Sequence, residues 1–180
     1  MGHRLSKIVT RTGDKGTTGL ATGDRIPKFD ARMQAIGETD ELNSVIGVLL
    51  THTLPEVVRG TLTREQHTLF NLGGELSMPG TEFIKPADVE RLEDAVEALN
   101  ETLPPLKEFV LPGGNPQAAA CHVARAVARR VERRLWELNA REPLNEHTPR
   151  YANRLSDYLF VAARTLARMD GGAEVTWIKG

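Results

Sequence analysis

PQAAACHVARAVARRVERRLWELNA, residues 116–140, is the stretch whose reading decides the fold. A proline opens it, which suits the first turn of a helix. Val123, Val127, Val131, Leu135 and Leu138 then recur at three- and four-residue steps, the period of a helix with one apolar stripe. At 1.5 Å per residue such a helix is roughly 37 Å long. On a second face Arg125, Arg129 and Glu132 stand at i, i+4 and i+7, well away from the valine stripe. A row of this kind is either a solvated face laced with Glu–Arg pairs or a guanidinium cluster for phosphate or a subunit interface. The small side chains of Ala118, Ala119, Ala120 and Ala124 permit the close approach that the second reading needs.

The same period repeats on both sides. Residues 29–52 read as a first helix, with Met33, Ile36, Val45, Ile46, Leu49 and Leu50 as its apolar positions. Pro55 breaks it. A second helix covers residues 56–78 on Leu62, Leu69, Leu72 and Leu76. Residues 79–86 form a turn region, and Pro86 opens a short third helix on Val89, Leu92, Val96 and Leu99. Residues 102–116 make a long connection containing FVLPGGNP, and length of that kind between helices points to function. After a polar loop at 142–149, a fifth helix runs over residues 150–169 on Leu155, Leu159, Ala162 and Leu166. It carries Asn153, Asp157 and Phe160 on one face, and an asparagine in mid-helix gains nothing from propensity. Gly171 and Gly172 end it, and EVTWI at 174–178 is strand-like, with an extended piece near Ile8 as its expected partner. Five helices with mostly short connections predict an all-α bundle.

The amino-terminal stretch, residues 8–28, does not belong to that pattern. IVTRTGDKGTTGLATGDRIPK holds four glycines and five threonines among basic residues, with little apolar content. Glycine admits close backbone approach. Free N–H groups, hydroxyls and cationic heads suit a polyphosphate. On the first helix Asp40 and Asn43 interrupt the apolar run, and a buried Asp40 would need a cation such as Arg125.

Bulk properties narrow the class. At 180 residues one domain is expected. A net charge of −1 argues against a general nucleic-acid or membrane-surface binder. No apolar run reaches the roughly 18 residues of a membrane span, and residues 1–7 show no signal-peptide core. Cys121 is the only cysteine, so no intrachain disulfide forms, which fits a cytoplasmic protein. The chain has no GxxxxGK[ST] loop, no GxGxxG after a strand, no HExxH and no Glu-x-x-His pair.

Four stretches together resemble one family, the PduO-type ATP:corrinoid adenosyltransferases. They are TRTGDKGTTGL with RIPK behind it, GETDELNS at 37–44, FVLPGG followed by CHVARAVARRVER, and NRLSDYLF. The resemblance runs from about residue 8 to residue 169. Arg11 stands where lysine is common in the family and keeps the charge. Residues 79–106 carry none of its signatures.

The resemblance implies one domain over 1–180: a nucleotide loop to residue 28, a five-helix bundle at 29–170 and a tail at 171–180. It implies a homotrimer with sites between subunits. The implied reaction transfers the 5′-deoxyadenosyl group of ATP to the cobalt of cob(I)alamin and releases triphosphate. By motif position ATP contacts Thr10, Arg11, Thr12, Gly13, Asp14, Lys15, Thr18, Gly19 and Lys28. From the helices it meets Arg129, Arg130, Glu132, Arg133 and Asn153, with Mg²⁺ carried on its phosphates. Asp40 and Arg125 pair across the subunit interface. Phe109 lies under the corrin ring, where it excludes the lower axial ligand, and Asp157 and Phe160 also face the corrinoid. A flavin-type cob(II)alamin reductase and an adenosylcobalamin-dependent client enzyme are the implied partners, with no nucleic acid and no membrane. Two other readings are an ATP sensor on the same bundle and a purely structural trimer. The retention of Phe109 and Arg129 favours the enzyme over the first, and the Thr/Gly-rich loop argues against the second.

Overall fold

A computed structural model of the chain describes residues 8–179. It contains five α-helices: α1 (Ala31–Leu50), α2 (Glu56–Ser77), α3 (Pro86–Asn100), α4 (Pro116–Asn139) and α5 (His147–Ala167). Before them, β1 (Thr17–Gly19) and β2 (Arg25–Pro27) form an antiparallel hairpin in which Thr17 faces Pro27, Thr18 faces Ile26 and Gly19 faces Arg25.

Neighbours in space run α2, α1, α4, α5, α3. Helix α5 is covered almost all round, burying Tyr151, Leu155, Tyr158, Leu159, Ala162, Ala163 and Leu166. Its second half, residues 158–167, is buried or half-buried on every face, which places it at the centre of the bundle. Helix α4 lies against it through small residues. Cys121, Ala124 and Ala128 are fully buried, and the Cys121 thiol donates to the Leu159 carbonyl at 3.2 Å. The expected α4 stripe holds except at its first position, where the buried Ala124 takes the place of Val123. Val127, Val131, Leu135 and Leu138 are core, whereas Val123 is 54% exposed. Large side chains mark the stripe in the sequence, but the tight α4–α5 contact is made by the small ones.

Sequence-local chemistry sets the helix starts. Asp30 Oδ1 accepts from the Arg32 amide at 2.8 Å, and Asn115 Oδ1 accepts from the Ala118 amide at 2.9 Å; both are N-caps. The Asn115 amide also donates to the Leu166 carbonyl at 2.7 Å, which fastens the start of α4 to the end of α5. Helix α5 begins at His147 rather than at residue 150. Pro149 fits its first turn because an amide there has no intrahelical acceptor.

The carboxyl-terminal strand pairs with the long connection, not with residues near Ile8. Val110 bridges Thr176, the Leu111 amide donates to the Val175 carbonyl at 2.8 Å, and the Trp177 amide donates to the Phe109 carbonyl at 2.7 Å. The cause is the buried Arg164, which had not been singled out. Its guanidinium pairs with Glu174 and donates to the Pro104 carbonyl at 2.7 Å, so α5 draws the tail and the 102–116 segment together. Arg168 holds the other oxygen of Glu174 at 2.6 Å.

Charged groups are also built into the core. Glu65 is fully buried, accepts from the Tyr151 hydroxyl at 2.8 Å and pairs with Arg91 at 3.3 Å. Burial raises its pKa above the ordinary 4.5, only partly offset by Tyr151 and Arg91. A carboxyl raised on folding favours the folded state fully below its unfolded pKa, and loses that contribution as pH rises from 4.5 through the folded value. Glu65→Gln removes the titration at nearly constant shape. The stability of the two proteins, compared between about pH 4 and pH 7, is therefore expected to shift in favour of the variant as pH rises. A shift in favour of the native residue would mean that Arg91 outweighs burial.

Candidate functional site

Residues 8–28 form a hairpin with a tight turn in front of it. Arg11 adopts φ 59°, a left-handed conformation uncommon for a residue with a Cβ, and Gly16 adopts φ 81°. The Gly16 amide donates to Gly13 at 3.1 Å and the Lys28 amide to Gly16 at 2.9 Å. The Lys28 side chain crosses directly over Gly13, since a Cβ there would lie 3.1 Å from both its Cε and its Nζ. Among the described residues, the amides of Thr12, Gly13 and Lys15 donate to no protein oxygen. Open amides beneath a lysine head are the parts of an anion cradle.

Thr10, Arg11, Thr12, Asp14, Lys15, Gly19 and Lys28 are exposed, and Gly13 and Thr18 are half-buried. The hairpin is tied to the bundle by the Ala21 amide, which donates to the Ser77 carbonyl at the end of α2 at 3.0 Å. No hydrogen bond among the described residues joins it to α4.

The charged face of α4 divides in two. Arg130 lies 3.4 Å from Glu38 and also pairs with Glu41, and Arg134 pairs with Glu38 at 2.9 Å. These two tie α4 to α1, so the geometry is at odds with Arg130 as a nucleotide contact. Arg125, Arg129 and Arg133 have no carboxylate within 4 Å among the described residues. Arg133 donates to the Arg129 carbonyl at 3.0 Å. Asn153 of α5 donates to Glu132 of α4 at 3.2 Å and accepts from Arg154 at 2.6 Å. The expected face is thus assembled from both helices, with Arg129 exposed and uncommitted beside it. Partial burial raises the pKa of Asp157, against the lowering charges of Arg154 and Arg129.

A cleft of about 470 Å³ opens next to this face, lined by Leu106, Phe109, Val110, Arg125, Phe160 and Trp177. Phe109 is 77% exposed and so does not anchor the loop in the core. Its ring meets Trp177 edge-to-face at 6.3 Å. The tail strand therefore fixes the Phe109 backbone and supplies a second aromatic wall. Trp177 was not among the expected site residues; its signal was the strand-like EVTWI, whose partner was misplaced. His122 was also missed. It is buried, stands 6.4 Å from Phe160, and accepts from Arg125 Nε through Nδ1 at 3.3 Å. Burial and the adjacent Arg125 lower its pKa, which keeps it neutral.

Asp40 lies elsewhere. It is exposed on α1, in a groove of about 430 Å³ with Met33, Ile36, Asn43, Phe70 and Gly73. Within one chain it is neither buried nor paired with Arg125, contrary to the expectation read from the residues alone. The same groove exposes Phe70 at 77%, and the buried Oδ1 of Asn43 has no partner among the described residues. Cys121 has no chemical role in this geometry, because burial pushes its thiol up to about 12.

The family model described as cobalamin adenosyltransferase matches residues 8–166. A cobalamin adenosyltransferase of Cupriavidus metallidurans is 56% identical over 98% of this chain and 97% of its own length. A corrinoid adenosyltransferase of Mycobacterium tuberculosis is 42% identical over 100% of this chain and 97% of its own. Among solved structures, a variant PduO-type ATP:corrinoid adenosyltransferase from Lactobacillus reuteri, complexed with cobalamin and ATP, superposes with a TM-score of 0.90. It is 33% identical and the match covers 96% of this chain and 100% of that one.

Proposed function

The chain belongs to the cobalamin adenosyltransferase family, and we propose the following assignment of its reaction to its residues. It transfers the 5′-deoxyadenosyl group of ATP to the cobalt of cob(I)alamin. The cobalt electron pair forms the new bond to C5′ while the bond from C5′ to oxygen breaks, and that oxygen leaves with the triphosphate. Such a displacement at saturated carbon needs no side-chain nucleophile and no strong base. The protein's tasks are alignment and stabilisation of charge growing on the leaving group.

The hairpin forms one wall for ATP. Thr10, Arg11, Thr12, Gly13, Asp14, Lys15, Thr18 and Gly19 surround the phosphates, with Lys28 as the cation above the turn. Arg129 and Arg133 form the opposite wall, and Glu132 with Asn153 fixes the nucleoside end. Arg130 serves this wall indirectly, by holding α4 to α1 through Glu38 and Glu41. Among the described residues no three His, Cys, Asp or Glu side chains converge to hold a metal ion. We therefore place Mg²⁺ on the ATP oxygens and route no step through a protein-held ion.

The corrinoid occupies the aromatic cleft, with Phe109 under the ring and Asp157 and Phe160 at its edge. The single observation that carries this reading is the exposed Phe109, clamped by the tail strand over an apolar cleft beside uncommitted guanidinium groups.

The homotrimer implied by the family resemblance is supported by complementary groups on two faces of the chain. Asp40 and the unpartnered Asn43 oxygen sit in an apolar groove on α1 and α2, and Arg125 stands without a carboxylate on α4. In this reading Asp40 of one subunit pairs with Arg125 of the next, and the ATP site lies between neighbouring subunits. A flavin-type reductase supplies the electron, and an adenosylcobalamin-dependent enzyme takes the product. No helix among the described residues is long and apolar enough to cross a membrane, and a buried thiol without a possible intrachain disulfide partner suits the cytoplasm.

The deciding experiment supplies ATP, Mg²⁺ and chemically reduced cob(I)alamin under strict anaerobiosis. The expected result is the spectrum of adenosylcobalamin, with release of triphosphate. ATP binding without that spectral change would instead mark a sensor.

A further inference from the structure

We propose that Arg25, which none of the assignments above uses, is a positioning residue for the nucleotide. Its guanidinium is the strut that holds the turn at residues 12–17 in its anion-accepting shape. The proposal rests on reading the hairpin as the ATP wall.

Arg25 stands on β2 directly opposite Gly19. A Cβ at Gly19 would come within 3.8 Å of Arg25 Nη1, so the guanidinium lies close over the neighbouring strand at a position without a side chain. From there Nη2 donates to the Thr12 carbonyl at 2.8 Å, to the Thr17 carbonyl at 3.1 Å and to the Thr17 hydroxyl at 2.9 Å. Nε reaches the same hydroxyl at 3.3 Å. One planar group thus joins both ends of the turn.

The segment it spans is costly to hold. Arg11 just before it and Gly16 within it both have positive φ, and the Lys28 side chain packs closely over Gly13, 3.1 Å from where a Cβ would lie. A free turn of this composition has many alternative conformations, and an anion binding it would have to order it first. Arg25 does that ordering in advance. It also binds two carbonyl oxygens whose negative ends would otherwise be free to oppose a polyphosphate. Lysine cannot replace it, because a single ammonium lacks the planar fork that reaches separated acceptors.

The test is steady-state kinetics with pre-reduced cob(I)alamin for Arg25→Ala, Arg25→Lys and Lys28→Ala, with amide hydrogen exchange of residues 12–17 measured without ATP. In both Arg25 variants the KM for ATP is expected to rise about tenfold or more. The KM for cobalamin and the unfolding midpoint stay unchanged, and the turn exchanges faster. Methylguanidinium added to Arg25→Ala restores both the ATP KM and the slow exchange.

Two results overturn the strut: an unchanged ATP KM in Arg25→Ala, or an Arg25→Lys protein close to wild type, which would mean direct contact with phosphate. Lys28→Ala separates this idea from its premise. If it raises the ATP KM while Arg25→Ala does not, only the strut fails. If neither variant changes it, the hairpin is not the nucleotide wall.

Discussion

Arg129→Ala is expected to lower kcat for adenosyl transfer by about 10²–10³-fold, the range seen when one preorganised donor to developing charge is removed. Arg129 is placed to meet a ligand rather than to hold the fold. It is exposed on α4 and pairs with no carboxylate among the described residues, while Arg130 and Arg134 beside it are committed to α1. A guanidinium without a partner, next to the Glu132–Asn153 contact, contributes little to stability and is available to an anion. As the bond from C5′ to oxygen breaks, negative charge accumulates on the triphosphate, and a fixed cation there acts more strongly on the transition state than on bound ATP. The loss should therefore appear in kcat, with a smaller change in the ATP KM. Arg129→Lys should recover part of the rate, since it keeps the charge and loses the bidentate geometry. The unfolding midpoint should not move. A raised KM at unchanged kcat would assign Arg129 to uniform binding of ATP instead.

The helices were legible because each carries its own signal. Apolar residues at three- and four-residue spacing, Pro86 and Pro116 at helix starts, and Gly171 near the end of α5 are all local facts. What escaped depends on contacts distant in sequence. Val123 has the size and spacing of a core residue, whereas the α4–α5 contact is set by the smaller Cys121, Ala124 and Ala128. The partner of the tail strand was misplaced because a short apolar run does not encode its mate. Arg164, buried among carbonyl and carboxylate oxygens, makes that choice. The site shows the same division. Arg125, Arg129, Glu132 and Asn153 were visible as residues sharing helix faces. Which arginine is free was not, because it is decided by Glu38 and Glu41 on another helix. Arg25 and Trp177 each bond to backbone groups of other segments, and such bonds leave no mark in a pattern of side chains.

Phe109→Ala is expected to separate two assays of the same reaction. With cob(II)alamin and a reductant, activity should fall by about a hundredfold; with pre-reduced cob(I)alamin it should fall only a few-fold. The reason lies in what an apolar ring beneath the corrin does. It occupies the place of a lower axial donor and of water, and cobalt without that donor accepts an electron more readily, which is a protein tuning its substrate through ligation and burial. For a one-electron couple each 59 mV is a factor of ten, so a return of the ligand that lowers the potential by about 120 mV removes about 99% of the accessible Co(I). Cob(I)alamin supplied from outside has already passed that step. The substitution is a clean one structurally. Phe109 is 77% exposed, and the bond from the Trp177 amide to its carbonyl involves only backbone. The loop should therefore keep its course and the protein its unfolding midpoint. Phe109→Leu, which still fills the space with apolar atoms, should retain more cob(II)alamin-dependent activity than alanine. Equal losses in the two assays would show that Phe109 merely shapes the cleft, and the tuning role would then have to be sought in Phe160 or Trp177, the other rings that line it.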